Sequence, residues 1–129
     1  MDQERLEELY EDHVLREAES PYHKWRLVDA MLSGSARNPL CGDLVWLDLE
    51  VDQAGRIIEA CHDATGCVIS RAGASLLCRY VEGTLIDELR SLPANEMHGL
   101  IRVPLSPTRQ RCALLAYECL QRMLLSSRP

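Results

Sequence analysis

The chain contains no phenylalanine, one lysine, and no apolar run near the ~20 residues that a membrane-spanning helix requires. Aromatic residues are only 5% of the composition, so leucine, isoleucine, valine, alanine and methionine must fill any core. Thirteen of its fourteen basic residues are arginine, and they form no cluster that would track a phosphate backbone. Nucleic acid and membrane are therefore excluded as partners. Residues 1–20 carry eight acids against two arginines, the wrong composition for a signal or transit peptide. The expectation is a cytoplasmic protein whose 129 residues form one domain, 1–129.

What the chain does have is cysteine, at positions 41, 61, 67, 78, 112 and 119. In a reducing compartment such thiols read as metal ligands, redox groups or small buried hydrophobes rather than as a disulfide framework. No Cys-x-x-Cys pair is present, so the usual zinc-finger spacings do not apply.

Hydrophobic periodicity divides the chain. Residues 3–19 read as an amphipathic helix with Leu6, Leu9, Tyr10, His13 and Val14 on one stripe, ended by Ser20-Pro21. Its acidic face reads as a solvated surface. Residues 31–37 suggest a short strand, and 44–51 a second. A turn at Asp52-Gln53-Ala54-Gly55 then leads into a returning strand over 56–64. After Gly66 the period becomes helical, from Cys67 to Val81, with Val68, Ala72, Leu76 and Tyr80 along one side and small residues that permit close packing. Gly83 terminates this helix. Thr84 can cap a short helix over 85–92, and 93–105 reads as irregular. Ser106 and Pro107 open a last helix that runs to about Leu125 and buries Cys112, Leu115, Ala116, Cys119, Leu120 and Met123. Strands first and helices afterwards predict an α+β fold, a three-stranded antiparallel sheet packed against helices.

Three cysteines fall where the chain changes direction. Cys41 precedes a strand and shares a strand face with Asp43 if extended structure has already begun there. Cys67 opens a helix, where the dipole favours a thiolate. Cys112 sits in the second turn of the last helix beside Arg109 and Arg111, whose charges act in the same sense. Three thiolates and a carboxylate suit Zn²⁺ or iron–sulfur ligation. Cys119 is ~10.5 Å further along the helix axis than Cys112, too far to share one tetrahedral ion. Cys61 in mid-strand and Cys78 in mid-helix read as packing residues, and His62 as a structural histidine. His13, His23 and His98 have no partner pattern.

The runs Asn38-Pro39-Leu40-Cys41-Gly42-Asp43, Gly66-Cys67-Val68-Ile69-Ser70-Arg71-Ala72-Gly73-Ala74-Ser75 and Arg109-Gln110-Arg111-Cys112-Ala113-Leu114-Leu115 resemble the three signature blocks of the U-type iron–sulfur scaffold family. That family comprises IscU, SufU and the N-terminal domain of NifU. The similarity runs from the N-terminal helix through Leu125, and the 26-residue step from Cys41 to Cys67 agrees with it. The resemblance implies a metal site of Cys41, Asp43, Cys67 and Cys112. It also implies a transient [2Fe–2S] cluster, with Zn²⁺ as the alternative. The implied partners are a cysteine desulfurase and recipient apo-proteins, and the role is that of a carrier more than a turnover enzyme.

Arg111 stands where IscU-type members have histidine, and Val103-Pro104-Leu105-Ser106-Pro107 only loosely echoes their Leu-Pro-Pro-Val-Lys motif. Arg109, three residues before Cys112, matches the SufU type. Only 44 residues separate Cys67 from Cys112, too few for the SufU insertion. The chain combines features of both.

Overall fold

The computed structural model describes residues 3–40, 42–102 and 104–126, with side chains from residue 11 onward. Helix α1 (Gln3–Glu19) is followed by strands β1 (Leu32–Arg37), β2 (Leu44–Val51) and β3 (Ile57–Thr65). Helices α2 (Val68–Val81), α3 (Ile86–Arg90), α4 (Glu96–Ile101) and α5 (Pro107–Ser126) complete the chain. The sheet is antiparallel in the order β1-β2-β3, as the sequence predicts. Asp52 builds the β2–β3 turn, its carboxylate accepting the Ala54 and Arg56 N–H groups.

Alternation along β2 sends Val45, Leu47, Leu49 and Val51 to one face, where they are buried with Leu77, Leu115 and Leu120 of the helices. Helix α2 lies centrally, against the sheet, α1, α4 and α5. It is consequently buried on most sides rather than along one stripe. Its small residues do what the sequence suggests. A Cβ at Gly73 would sit 3.3 Å from the Ala113 carbonyl oxygen of α5, a tight contact, so glycine lets the two helices cross closely. Tyr80, which the period places on one side with Val68, Ala72 and Leu76, is 40% exposed, whereas Ala72 and Leu76 are buried in a cluster with Val14 and Ala18 of α1. In α1, Val14 is buried as expected and His13 Nε2 bonds the Leu100 carbonyl at 3.1 Å; the side chains of Leu6, Leu9 and Tyr10 lie outside the described set.

Two further expectations are corrected. Residues 96–101 are helical, not irregular: Met97 and Ile101, four apart, are both fully buried, but a pattern of two positions is too short to read as a period. Thr84 does not cap α3. The residue before that helix is Leu85, no side-chain cap is made, and the Thr84 carbonyl accepts the Ile57 N–H instead. Ser106 does cap α5, its Oγ accepting the Arg109 N–H at 3.3 Å. No described helix is long and apolar enough to cross a membrane.

The other sheet face is crossed by the connection from α1 to β1, and one buried charge holds it there. Asp48, 1% exposed, accepts the Arg26 guanidinium at 2.7 and 3.2 Å, the Leu27 N–H at 2.9 Å and the Ser33 hydroxyl at 2.5 Å. Burial alone would raise its pKa, but these hydrogen bonds and the Arg26 charge outweigh burial and hold it below the ordinary value. A depressed folded-state pKa contributes stability that is complete above the unfolded value and is lost as pH falls through the folded one. Asp48→Ala should therefore cost about 1–3 kcal/mol at neutral pH, the worth of several lost bonds to a buried charge. It should also flatten the loss of stability that wild type shows below pH ~4. Urea unfolding at pH 7 and pH 3 checks both; parallel pH profiles for the two proteins would contradict the assignment.

Candidate metal centre

The loop that carries Cys41 is tied at both ends. The Asn38 N–H donates to the Asp43 carbonyl at 2.9 Å, and the Gly42 N–H donates to the Asn38 carbonyl at 2.7 Å. The Asn38 side-chain oxygen accepts the Leu40 N–H at 3.1 Å. Gly42 adopts φ 76°, a conformation glycine takes without cost. Cys41 itself lies outside the described residues. Strand β2 begins only at Leu44, so Asp43 precedes it and strand alternation does not orient that carboxylate. Hydrogen bonds do.

Asp43 is 3% exposed. Its Oδ1 accepts the Cys67 N–H at 3.2 Å and its Oδ2 accepts the Ser70 hydroxyl at 2.6 Å. Cys67 occupies the residue before α2 and makes no side-chain cap of its own. The cap comes instead from an acid 24 residues upstream, which also places negative charge at the positive end of the helix dipole. The approach is close enough to dictate the preceding residue. Gly66 has φ 112°, and a Cβ on it would lie 2.0 Å from Asp43 Oδ1.

Cys112 comes to the same place from α5. It is buried, and the Asn38 amide Nδ2 donates to its Sγ at 3.9 Å. One ligand atom each from Asp43, Cys67 and Cys112 then lies within 4.8 Å of the others. A tetrahedral Zn²⁺ with ~2.3 Å bonds to sulfur sets its ligand atoms ~3.8 Å apart, so the set is within about 1 Å of what a metal requires. Two thiols and a carboxylate suit Zn²⁺ or an iron–sulfur centre. Cys67 is the exposed member. A groove of about 560 Å³ opens beside it, bounded by Glu11 and Leu15 of α1, Val68 of α2, and Thr108 and Arg109 of α5. Arg109, an exposed residue of the first turn of α5, thus shares a surface with Cys67 and Cys112.

The other described cysteines stay apart from this group. Burial pushes the Cys61 thiol up to about 12 and Cys119 to about 11, and raises Cys78 well above its ordinary value. All three pack in the interior, as their positions in mid-strand and mid-helix suggest. His62 is likewise internal: its Nε2 bonds the Tyr22 carbonyl at 2.8 Å, and burial lowers its pKa. His23 Nδ1 lies 3.0 Å from Glu82 Oε2, and His98 is exposed.

Sequence reasoning overlooked two residues here, Asn38 and Ser70. Both stand in the runs quoted above, but their partners are 74 and 27 positions away, and no local pattern reports such bonds. Gly66→Ala should destabilise the protein by about 1–3 kcal/mol, through a left-handed φ and displacement of Asp43. Chemical denaturation measures this, and an unchanged midpoint would contradict the packing described.

The model of the NifU-like N-terminal domain matches residues 9–126. The iron–sulfur cluster assembly scaffold protein IscU of Thermotoga maritima is 30% identical over 132 residues, covering 90% of this chain and 92% of that protein. The iron–sulfur cluster assembly enzyme IscU of Drosophila melanogaster is 29% identical, covering 90% and 76% respectively. Among solved structures, the SUF-system protein FiSufU of Fervidobacterium islandicum superposes with TM-score 0.73 at 20% identity, covering 95% of this chain and 99% of that one. The N-terminal part of a NifU-like protein from Brucella abortus gives 0.71 at 20% identity, with the same coverage. These structures share the fold, and the expected sheet-and-helix architecture is the one found. On the match to its sequence model, the chain belongs to the NifU-like N-terminal domain family.

Proposed function

We propose that this chain is a scaffold for iron–sulfur cluster assembly, with Cys41, Asp43, Cys67 and Cys112 holding the nascent cluster as cargo. The observation that carries the reading is the approach of Asp43, Cys67 and Cys112 to within 4.8 Å from three different elements. The names of the IscU relatives support it. Sulfur arrives from a cysteine desulfurase as a persulfide. A thiolate of the acceptor attacks the outer sulfur, the donor's S–S bond breaks, and the donor cysteine leaves as a thiolate. Cys67, exposed beside the groove, is the first candidate, with Cys41 and Cys112 as the others. Reduction of that sulfur to sulfide draws electrons from a separate donor. Arg109 contributes a positive charge at the rim, which attracts anionic sulfur species. The cluster, [2Fe–2S] in this reading, then passes to recipient apo-proteins. The free thiols suit a reducing cytoplasm.

The donor set itself supports a second reading, in which Zn²⁺ is resident and orders the site until incoming persulfide displaces one ligand. A purely structural zinc fits less well, since one of its ligands stands exposed.

Protein purified anaerobically should carry iron with acid-labile sulfide. Cys41→Ser, Cys67→Ser and Cys112→Ser should each lower that content, whereas Cys119→Ser should not. Elemental analysis of the four variants decides; one Zn²⁺ without sulfide favours the second reading, and full occupancy in Cys112→Ser would remove that ligand.

Asp43 offers a hard oxygen to soft, sulfide-bridged iron, which makes it the ligand of easiest exchange. Asp43→Ala should still assemble a cluster but release it more slowly to an apo-ferredoxin. The visible absorbance of the reconstituted cluster, followed with and without acceptor, reads this out. Faster transfer from the variant would sink the proposed role.

A further inference from the structure

We propose that Ser70 is a positioning residue of this centre, its hydroxyl fixing the Asp43 carboxylate in the orientation that ligates metal. The inference rests on the reading of Asp43, Cys67 and Cys112 as ligands. Ser70 lies in the first turn of α2 and is 1% exposed. Its Oγ is 2.6 Å from Asp43 Oδ2, 3.5 Å from Cys67 Sγ and 3.4 Å from the Cys112 carbonyl oxygen, so one hydroxyl touches all three residues.

A hydroxyl has one proton to give. Of its neighbours, the charged carboxylate at 2.6 Å makes the short, charge-assisted bond, and the other two contacts are longer and weaker. The Ser70 proton therefore goes to Asp43, while the oxygen's lone pairs remain able to accept from the Cys67 thiol. The terminal torsion of an aspartate is broad, so a carboxylate held through one oxygen still turns. Asp43 is held through both, Oδ1 by the Cys67 N–H and Oδ2 by Ser70. Removing the hydroxyl takes away the shorter of these two bonds. Hydrogen-bond partners that orient metal ligands typically contribute about 10–100-fold in metal affinity. Because Ser70 acts through Asp43, its contribution should vanish once that carboxylate is gone.

The test is a double-mutant cycle on the full chain, with Zn²⁺ alone as the probe and affinities read by competition with a chromophoric chelator at fixed pH. Ser70→Ala should weaken Zn²⁺ binding about 10–100-fold. In an Asp43→Ala background the same change should cost nothing further. Ser70→Thr and Ser70→Val are nearly isosteric and differ in the hydroxyl, so Thr binding more tightly than Val carries the same conclusion if the alanine variant does not fold. An equal loss in both Asp43 backgrounds would show Ser70 acting on the fold or ligating metal itself, and overturns the inference. So does wild-type affinity in Ser70→Ala, or in Asp43→Ala, which would remove Asp43 from the ligand set. Cargo is a separate matter: protein lacking iron and sulfide defeats the scaffold reading whatever the cycle gives, and a failed cycle leaves that reading intact.

Discussion

The bond between the Asp43 carboxylate and the Cys67 N–H is the interaction around which this end of the molecule is arranged. Helix α2 begins with a cysteine, which cannot satisfy the unpaired N–H groups of a helix start. An acid just before β2 satisfies one of them instead, and thereby joins that segment to the helix. Two things follow from the single contact. Glycine is required at 66, because the carboxylate occupies the space of any Cβ. Cys67 and Ser70 are held beside the acid. Asn38 is tied to the same residue, its N–H donating to the Asp43 carbonyl.

Rigidity is shared unequally around the centre. Cys112 sits within a buried turn of α5, packed on α2 through Gly73 and Ala113. Cys67 stands at the open end of α2 with solvent on one side. A site that accepts and surrenders cargo benefits from both: buried ligands keep their geometry between cycles, and an open one gives entry. The groove beside α1 extends that opening across a partly apolar surface that includes Leu15 and Val68.

Much of this architecture is legible in the sequence, and the failures have physical causes. Period-two alternation from Leu47 and the Asp52–Gly55 turn are local signals, and both strands of that hairpin follow them. Ser106-Pro107 likewise announces α5. Helix α4 was illegible because six residues hold too few turns to show a period. Tyr80 shares a helix side with Ala72 and Leu76 yet is exposed, because α2 has neighbours on several sides and its burial does not follow one stripe. The positions of Asp43 and Cys67 at element boundaries and of Cys112 in the second turn of α5 could be read, but how the carboxylate is held could not. It depends on backbone and hydroxyl groups more than twenty residues away. Asn38 and Ser70 escaped for the same reason, since a bond that spans the chain leaves no spacing to count.

The interior placement of Cys61, Cys78 and Cys119 acts as a sorting rule for sulfur chemistry. Thiols pushed up to about 12 and about 11 are ionised at neutral pH to only about one part in 10⁵ and 10⁴, and thiolate is the form that attacks persulfides and oxidants. Burial therefore removes these groups from the reaction twice, by access and by protonation. A chain rich in cysteine thus presents a short menu to an incoming electrophile, and the hydrophobic core doubles as a store of inert sulfur that neither captures cargo nor cross-links under mild oxidation.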